Sequence, residues 1–181
     1  MIAALAGIAI QFSSASLRAE EKSDAAKIKA MSENGVNFLK NSQADDGSWT
    51  SPTQPGISGL VVYSLLKSGL KPDDPAVARG LKHLESFIQK DGGIYHESSG
   101  HKNYETCICL MAFAEANKDG RYSATIEKAD KYVKELQWDE GEKIDRSDVK
   151  YGGAGYGRTG DRPDLSNTTF LVEALRAAGA K

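Results

Sequence analysis

Three stretches of the chain repeat one pattern, and a pattern that recurs limits the available folds more than any local propensity does. Gly35, Phe38 and Leu39 lead to Gln43 and then to Asp46-Gly47-Ser48-Trp49. Gly80, Leu81 and Leu84 lead to Gln89 and then to Asp91-Gly92-Gly93-Ile94-Tyr95. A third copy runs from Ala129 through Tyr132 and Val133 to Gln137, its glycine and aromatic loop delayed to Tyr151-Gly152-Gly153-Ala154-Gly155-Tyr156. Gln43, Gln89 and Gln137 stand 46 and 48 residues apart, a period that holds one helix-loop-helix unit. Such units bury their apolar faces against their neighbours, so a row of helical hairpins around a shared core is expected.

The two helices of each unit read differently. In the first, apolar residues keep helical spacing: Ile28, Met31, Phe38 and Leu39, then Val77, Leu81, Leu84 and Ile88, then Ile126, Ala129, Val133 and Leu136. These helices have one wet face. The second helices, over 57–66, 107–114 and 170–175, are apolar nearly all round, which predicts enclosure by protein on most sides. Alternation of the two kinds predicts a curved double layer, with amphipathic helices outside and apolar ones inside. Asp73-Asp74-Pro75 reads as a cap with proline in the first turn, and Gly69 and Gly179 as left-handed helix ends. The connection from Asp139 to Pro163 is charged and then glycine-rich, as a functional surface loop would be.

With 23 Lys plus Arg against 25 Asp plus Glu, the chain has no basic footprint for nucleic acid or anionic lipid, so no nucleic-acid partner is expected. Met1 to Ile10 is almost wholly apolar, and Ser13-x-Ala15 follows, a pattern that reads as a signal peptide over residues 1–19 although no basic residue precedes it. Ten residues are too few to cross a bilayer, so no integral membrane span is expected. An exported protein, periplasmic or extracellular, is the resulting expectation, with a repeat domain over 20–181. The two cysteines, Cys107 and Cys109, lie two apart on a helix and point to nearly opposite faces, so they neither pair nor form a metal pincer.

The recurring glycine, aromatic or leucine, glutamine, then glycine and aromatic resembles the QW-type repeat of the squalene-hopene cyclase and protein prenyltransferase superfamily. The likeness covers roughly 35–178 and extends to bacterial exported proteins described as containing prenyltransferase and squalene oxidase repeats. It implies an all-α fold, an α/α toroid of six hairpins, of which this sequence supplies three. The expected partner is therefore the other half of the toroid, from a longer chain or from a second copy. The glutamines and the aromatics Trp49, Tyr95 and Tyr156 are expected to be structural, each amide bonding unpaired backbone groups with the ring packed over it.

A cyclase of this superfamily carries an Asp-x-Asp-Asp acid motif, and none occurs here; Asp45-Asp46 is a loop and Asp73-Asp74 a cap. A prenyltransferase holds zinc with Asp, Cys and His, and the nearest approach is Glu105-x-Cys107 with His96 and His101 in the preceding loop. A buried Cys packing as a small hydrophobe explains the same residues, so no metal and no cofactor is expected. The starts of the inner helices bring Tyr104, Glu105, Asp164, Asn167 and Thr168 to one mouth of the interior, a candidate site for an apolar small molecule. Capping by Asn103, Asp164 or Ser166 is the plainer account of the polar ones. Arg158 and Arg162 are candidate anion contacts. A glycan-processing enzyme would need two facing carboxylates, for which Glu97, Glu105 and Asp164 are available. A ligand-binding or scaffold module is the expectation. The enzyme alternatives are a terpenoid cyclase or prenyltransferase with its catalytic residues elsewhere, and a glycan-processing α/α barrel.

Overall fold

The computed structural model describes residues 24–157 and 162–179. Among them are α1 (24–41), α2 (Pro55–Lys67), α3 (Pro75–Glu85), α4 (Lys102–Ala116), α5 (Ser123–Lys134) and α6 (Leu165–Ala177), with a 3-10 turn at Glu140–Glu142. The described residues contain no strand, only an isolated bridge between Ile88 and Ile94, so the fold class is all-helical. The expected leader, 1–19, lies outside them. No described helix is long and apolar enough to cross a membrane.

The chain divides after Asn41 into two compact units, and α1 belongs to the first. Its apolar stripe keeps helical spacing, yet Ile28, Met31 and Phe38 stand exposed where burial was expected. Among the described residues α1 is the one helix of its unit, and they offer no second apolar surface there to bury the stripe against.

In the second unit α4 is the hub. It packs between α2 and α6, while α3 lies mainly on α2 and α5 mainly on α4. Every residue from Glu105 to Phe113 is buried, as an evenly apolar helix requires. The same enclosure was expected of α2 and α6, and there the structure differs: Leu60 and Val172 are 42% and 41% exposed. Position in the row is the cause, because α4 has an inner helix on each flank and α2 and α6 have one each. The outer helices are amphipathic as predicted, with Val77, Leu81 and Leu84 buried on α3 and Ala129, Tyr132 and Val133 on α5. The closest hairpins, however, run inner-then-outer rather than outer-then-inner. Short turns explain this: Gly69 (φ +96°) ends α2, and Asp74 accepts from the Ala76 N–H at 3.0 Å ahead of Pro75 to start α3. The link from α3 to α4 spans 86–101 and lets those two drift apart.

The loops between α1 and α2, α3 and α4, and α5 and α6 share one construction. Gly47, Gly92 and Gly152 sit at equivalent points with φ of +85°, +93° and +79°. A Cβ on Gly92 would approach the Lys128 carbonyl of α5 to 2.6 Å, and one on Gly47 would strike the Arg79 carbonyl of α3. The first two loops thus lie directly on the next outer helix, whereas Gly152 has only Gln137 Nε2 near it, at 3.8 Å. Just beyond, a backbone N–H donates to a hydroxyl on the next inner helix: Trp49 to Ser58 Oγ at 3.1 Å, Ile94 to Thr106 Oγ1 at 3.0 Å, and Ala154 to Thr168 Oγ1 at 3.0 Å. These bonds correct the alignment of the aromatics, because Trp49 corresponds to Ile94 and Ala154, and Tyr95 and Tyr156 fall one and two residues later. The glutamine amides bond backbone carbonyls: Gln43 Nε2 to Gly47 in its loop and Ala76 of α3 (3.1 and 2.9 Å), Gln89 Nε2 to Phe87 and Tyr95 (3.2 and 2.9 Å), and Gln137 Nε2 to Gly152 (2.8 Å).

Two substitutions test this construction by urea unfolding. Thr106→Val leaves the buried Ile94 N–H without an acceptor and should cost about 1–3 kcal/mol. Gly92→Ala adds a steric clash to the left-handed penalty of about 1–2 kcal/mol, so it should destabilise more than Gly120→Ala, where φ is +82° but nothing lies closer than 3.7 Å.

Candidate ligand-binding cavity

Because each loop is tied to the start of an inner helix, the first turns of α2, α4 and α6 meet at one end of the unit. A cavity of about 610 Å³ opens there. Gly56 and Ile57 of α2, Tyr104 and Glu105 of α4, and Ser166 of α6 line it. The 96–101 loop closes one side with His96, Ser98, Ser99, Gly100 and His101, Thr53 and Gln54 precede α2, and Tyr156 reaches in from the last loop.

Asn103 positions that last wall. It was expected to cap α4, but its Nδ2 donates to the Gly155 carbonyl at 2.7 Å and its N–H to the Tyr156 carbonyl at 3.0 Å. The side chain is wholly buried, where an unbonded amide would be costly. Pinned in this way, the Tyr156 ring meets His101 edge-on with centroids 4.8 Å apart. Tyr104 is held by a similar contact with Phe170 at 4.9 Å.

Glu105 is only 6% exposed. Its Oε1 accepts from the Ser99 hydroxyl at 2.8 Å and its Oε2 from the His96 N–H at 3.1 Å, so the carboxyl folds the 96–101 loop over the cavity. His96 Nδ1 lies 2.9 Å from Ser98 Oγ and tightens the same turn. Burial pushes the Glu105 carboxyl above the ordinary range, against the lowering effect of the Ser99 and His96 bonds. One residue before the hydroxyls of Ser58, Thr106 and Thr168 stand Ile57, Glu105 and Asn167. The scaffold position is threefold, and its acid occurs once.

Of the five expected ligand contacts, Tyr104 and Glu105 line the cavity, whereas Asp164, Asn167 and Thr168 do not. Asp164 caps α6, accepting from the Asn167 N–H at 2.9 Å and from its Nδ2 at 2.7 Å, and these bonds hold its carboxyl below the usual range. Thr168 is occupied by the Ala154 N–H and its own bond to the Asp164 carbonyl at 2.7 Å. Helix phase explains the difference, since only Ser166 of that first turn points to the cavity.

Cys107 does not join the histidines. It is fully buried beneath the first turn, donates to Asn103 Oδ1 at 3.3 Å, and has its thiol pushed up to about 12 by burial. Cys107 and Cys109 are both free thiols. Among the described residues no group of three or more His, Cys, Asp or Glu is arranged to hold a metal. Glu97 is not in the lining, so among the described residues the cavity wall contains one carboxyl and no facing pair. Arg162 is exposed, and Arg158 lies outside the described residues.

The walls contributed by Gly56, Ile57, Ser98 and Ser99 were missed in the sequence. Pro55 was the available signal: proline at the first position of α2 marks where that helix enters the mouth. No family model matches the sequence, and no curated protein matches it.

The raised Glu105 carboxyl has a signed consequence for stability. The folded state binds that proton more tightly than the unfolded chain does. The stabilisation is therefore full below the ordinary glutamate value of 4.5 and is lost as pH rises through the raised folded value. The difference in urea midpoint between wild type and Glu105→Gln, followed with pH, should fall across that window. A flat difference would remove the buried carboxyl as the source.

Proposed function

We propose that the second unit is a small-molecule binding module of the terpenoid cyclase and prenyltransferase repeat kind, taking its ligand at the mouth where the inner helices begin. The observation that carries this reading is the single acid at a repeated position. Ile57, Glu105 and Asn167 occupy the same place beside the hydroxyl that holds each loop, and only the middle one is ionisable. A residue needed by the scaffold recurs with the scaffold, whereas a residue that meets a ligand need occur once. The cavity volume of about 610 Å³ is in the range of small-ligand sites, and its wall combines the rings of Tyr104 and Tyr156 with a few convergent polar groups.

The toroid is the finer part of the proposal. A row of inner helices backed by outer ones is what half of such a ring would contain, and the remaining hairpins would continue from the flanks of α2 and α6. The exposure of Leu60 and Val172 on those flanks supports this reading. Export is proposed on the leader-like pattern of residues 1–19. The proposal is confined to binding, since Glu105 is the one carboxyl among the described lining residues.

A fragment screen read by amide chemical shifts tests the binding reading. Hits should move Gly56, Ser99, Tyr104 and Glu105 together. Ile57→Trp, at a position 38% exposed, should fill the mouth and abolish those shifts while leaving the melting temperature within a few degrees. Fragments that bind this variant as well as wild type would refute the site.

A further inference from the structure

We propose that the ligand is an organic cation: an amine or ammonium group set beside Glu105, on an apolar body that lies against Tyr104, Tyr156 and Ile57. This rests on the cavity being a binding site and adds the sign of charge that it takes.

The argument begins with what Glu105 lacks. Its carboxyl accepts one hydrogen bond on each oxygen, from Ser99 and from the His96 N–H, which leaves acceptor capacity on both. No ion pair among the described residues includes it, although Lys67, Lys118 and Lys134 all find acidic partners elsewhere. The cavity wall contains no Lys or Arg among the described residues. A carboxylate that is 6% exposed and has no Lys or Arg beside it, only His96 and His101 to favour its charged form, is expensive to hold. A cation entering the cavity removes that cost, and an anion raises it.

The helix starts do not reverse this sign. Their positive ends attract anions, but two of the three face an acid of their own. Glu105 stands in the first turn of α4 and Asp164 caps α6, whereas α2 has neither a cap bond nor an acid, and Pro55 removes only one of its N–H groups. The rest of the wall suits an alkylated or aromatic cation. Tyr104 and Tyr156 supply aromatic rings, a chemistry that attracts ammonium groups within about 6 Å, and Ile57 supplies apolar surface. The wall's titratable groups are Glu105, His96, His101, Tyr104 and Tyr156. A neutral polyol would also find hydrogen bonds here, but it would leave the buried charge uncompensated.

Four probes of similar size distinguish the classes on the intact chain: benzylamine, benzyltrimethylammonium, benzyl alcohol and benzoate. Each is titrated at mildly alkaline pH and read by the amide shifts of Gly56, Ser99 and Glu105. Both cations should bind at least about tenfold more tightly than benzyl alcohol, with benzoate weakest. In Glu105→Gln the preference for cation over alcohol should shrink to within about twofold while the alcohol keeps its affinity. Should that variant not fold, the wild-type ranking decides alone. If benzyl alcohol or benzoate moves the cavity amides as strongly as the cations, the cation proposal is overturned while the binding site stands. If no probe of any charge moves them, the binding reading falls with it.

Discussion

One backbone N–H in each loop, donated to a hydroxyl on the following inner helix, organises the second unit. Trp49 reaches Ser58, Ile94 reaches Thr106, and Ala154 reaches Thr168, each at close to 3 Å. The consequence is architectural, because a loop fixed to the beginning of the next inner helix places all three beginnings at one end. The glycine ahead of the first two of these bonds lets the loop lie flat on an outer helix, with Gly47 against Arg79 and Gly92 against Lys128. Loop and helix are therefore held from two directions. The chain between N–H and hydroxyl lengthens from 9 to 12 to 14 residues without disturbing the bond, so in this part of each loop variation is confined between two fixed ends.

That confinement separates scaffold from site. Residues that recur, such as Gln43, Gln89 and Gln137, are fully engaged with backbone carbonyls. Residues that break the recurrence gather around α4. Glu105 replaces a leucine isomer and an amide at its two counterparts, and Asn103 ties the start of α4 to the loop that carries Tyr156. Placing these on α4 has a physical reason, since it is the one described inner helix with an inner helix on each flank. A carboxyl in its first turn is buried from both sides, and so the 96–101 loop must supply the hydrogen bonds that water would otherwise give.

The helical class, the two kinds of helix and the engaged glutamines were all legible in the sequence, because each follows from a period that one chain displays. Gly47 and Gly92 could be aligned by eye for the same reason. The hydroxyl partners could not, since 9, 12 and 14 residues form no period, and only the folded loop shows Ser58, Thr106 and Thr168 to be equivalent. The same irregular spacing misled the alignment of Tyr95 and Tyr156 with Trp49: aromatic character was matched, whereas the backbone matches Ile94 and Ala154. Exposure of Leu60 and Val172 was equally hidden, because all-round apolarity reports what a helix could bury and not how many neighbours it has.

The site residues divide along the same line. Tyr104 and Glu105 were found from their place at a helix start, and Asp164, Asn167 and Thr168 were grouped with them by the same rule. A helix start offers two uses for a polar side chain, turning back to cap its own N–H groups or facing outward into a shared mouth. Asp164 turns back, and its two bonds to Asn167 leave both residues committed to the helix. Glu105 lies too far into its turn for that role and bonds instead to a loop outside the helix, which keeps its carboxyl at the cavity wall. The first turns of two inner helices thus yield a cap on one and a buried acid on the other, because Asp164 stands four residues before its helix's loop-holding hydroxyl and Glu105 only one.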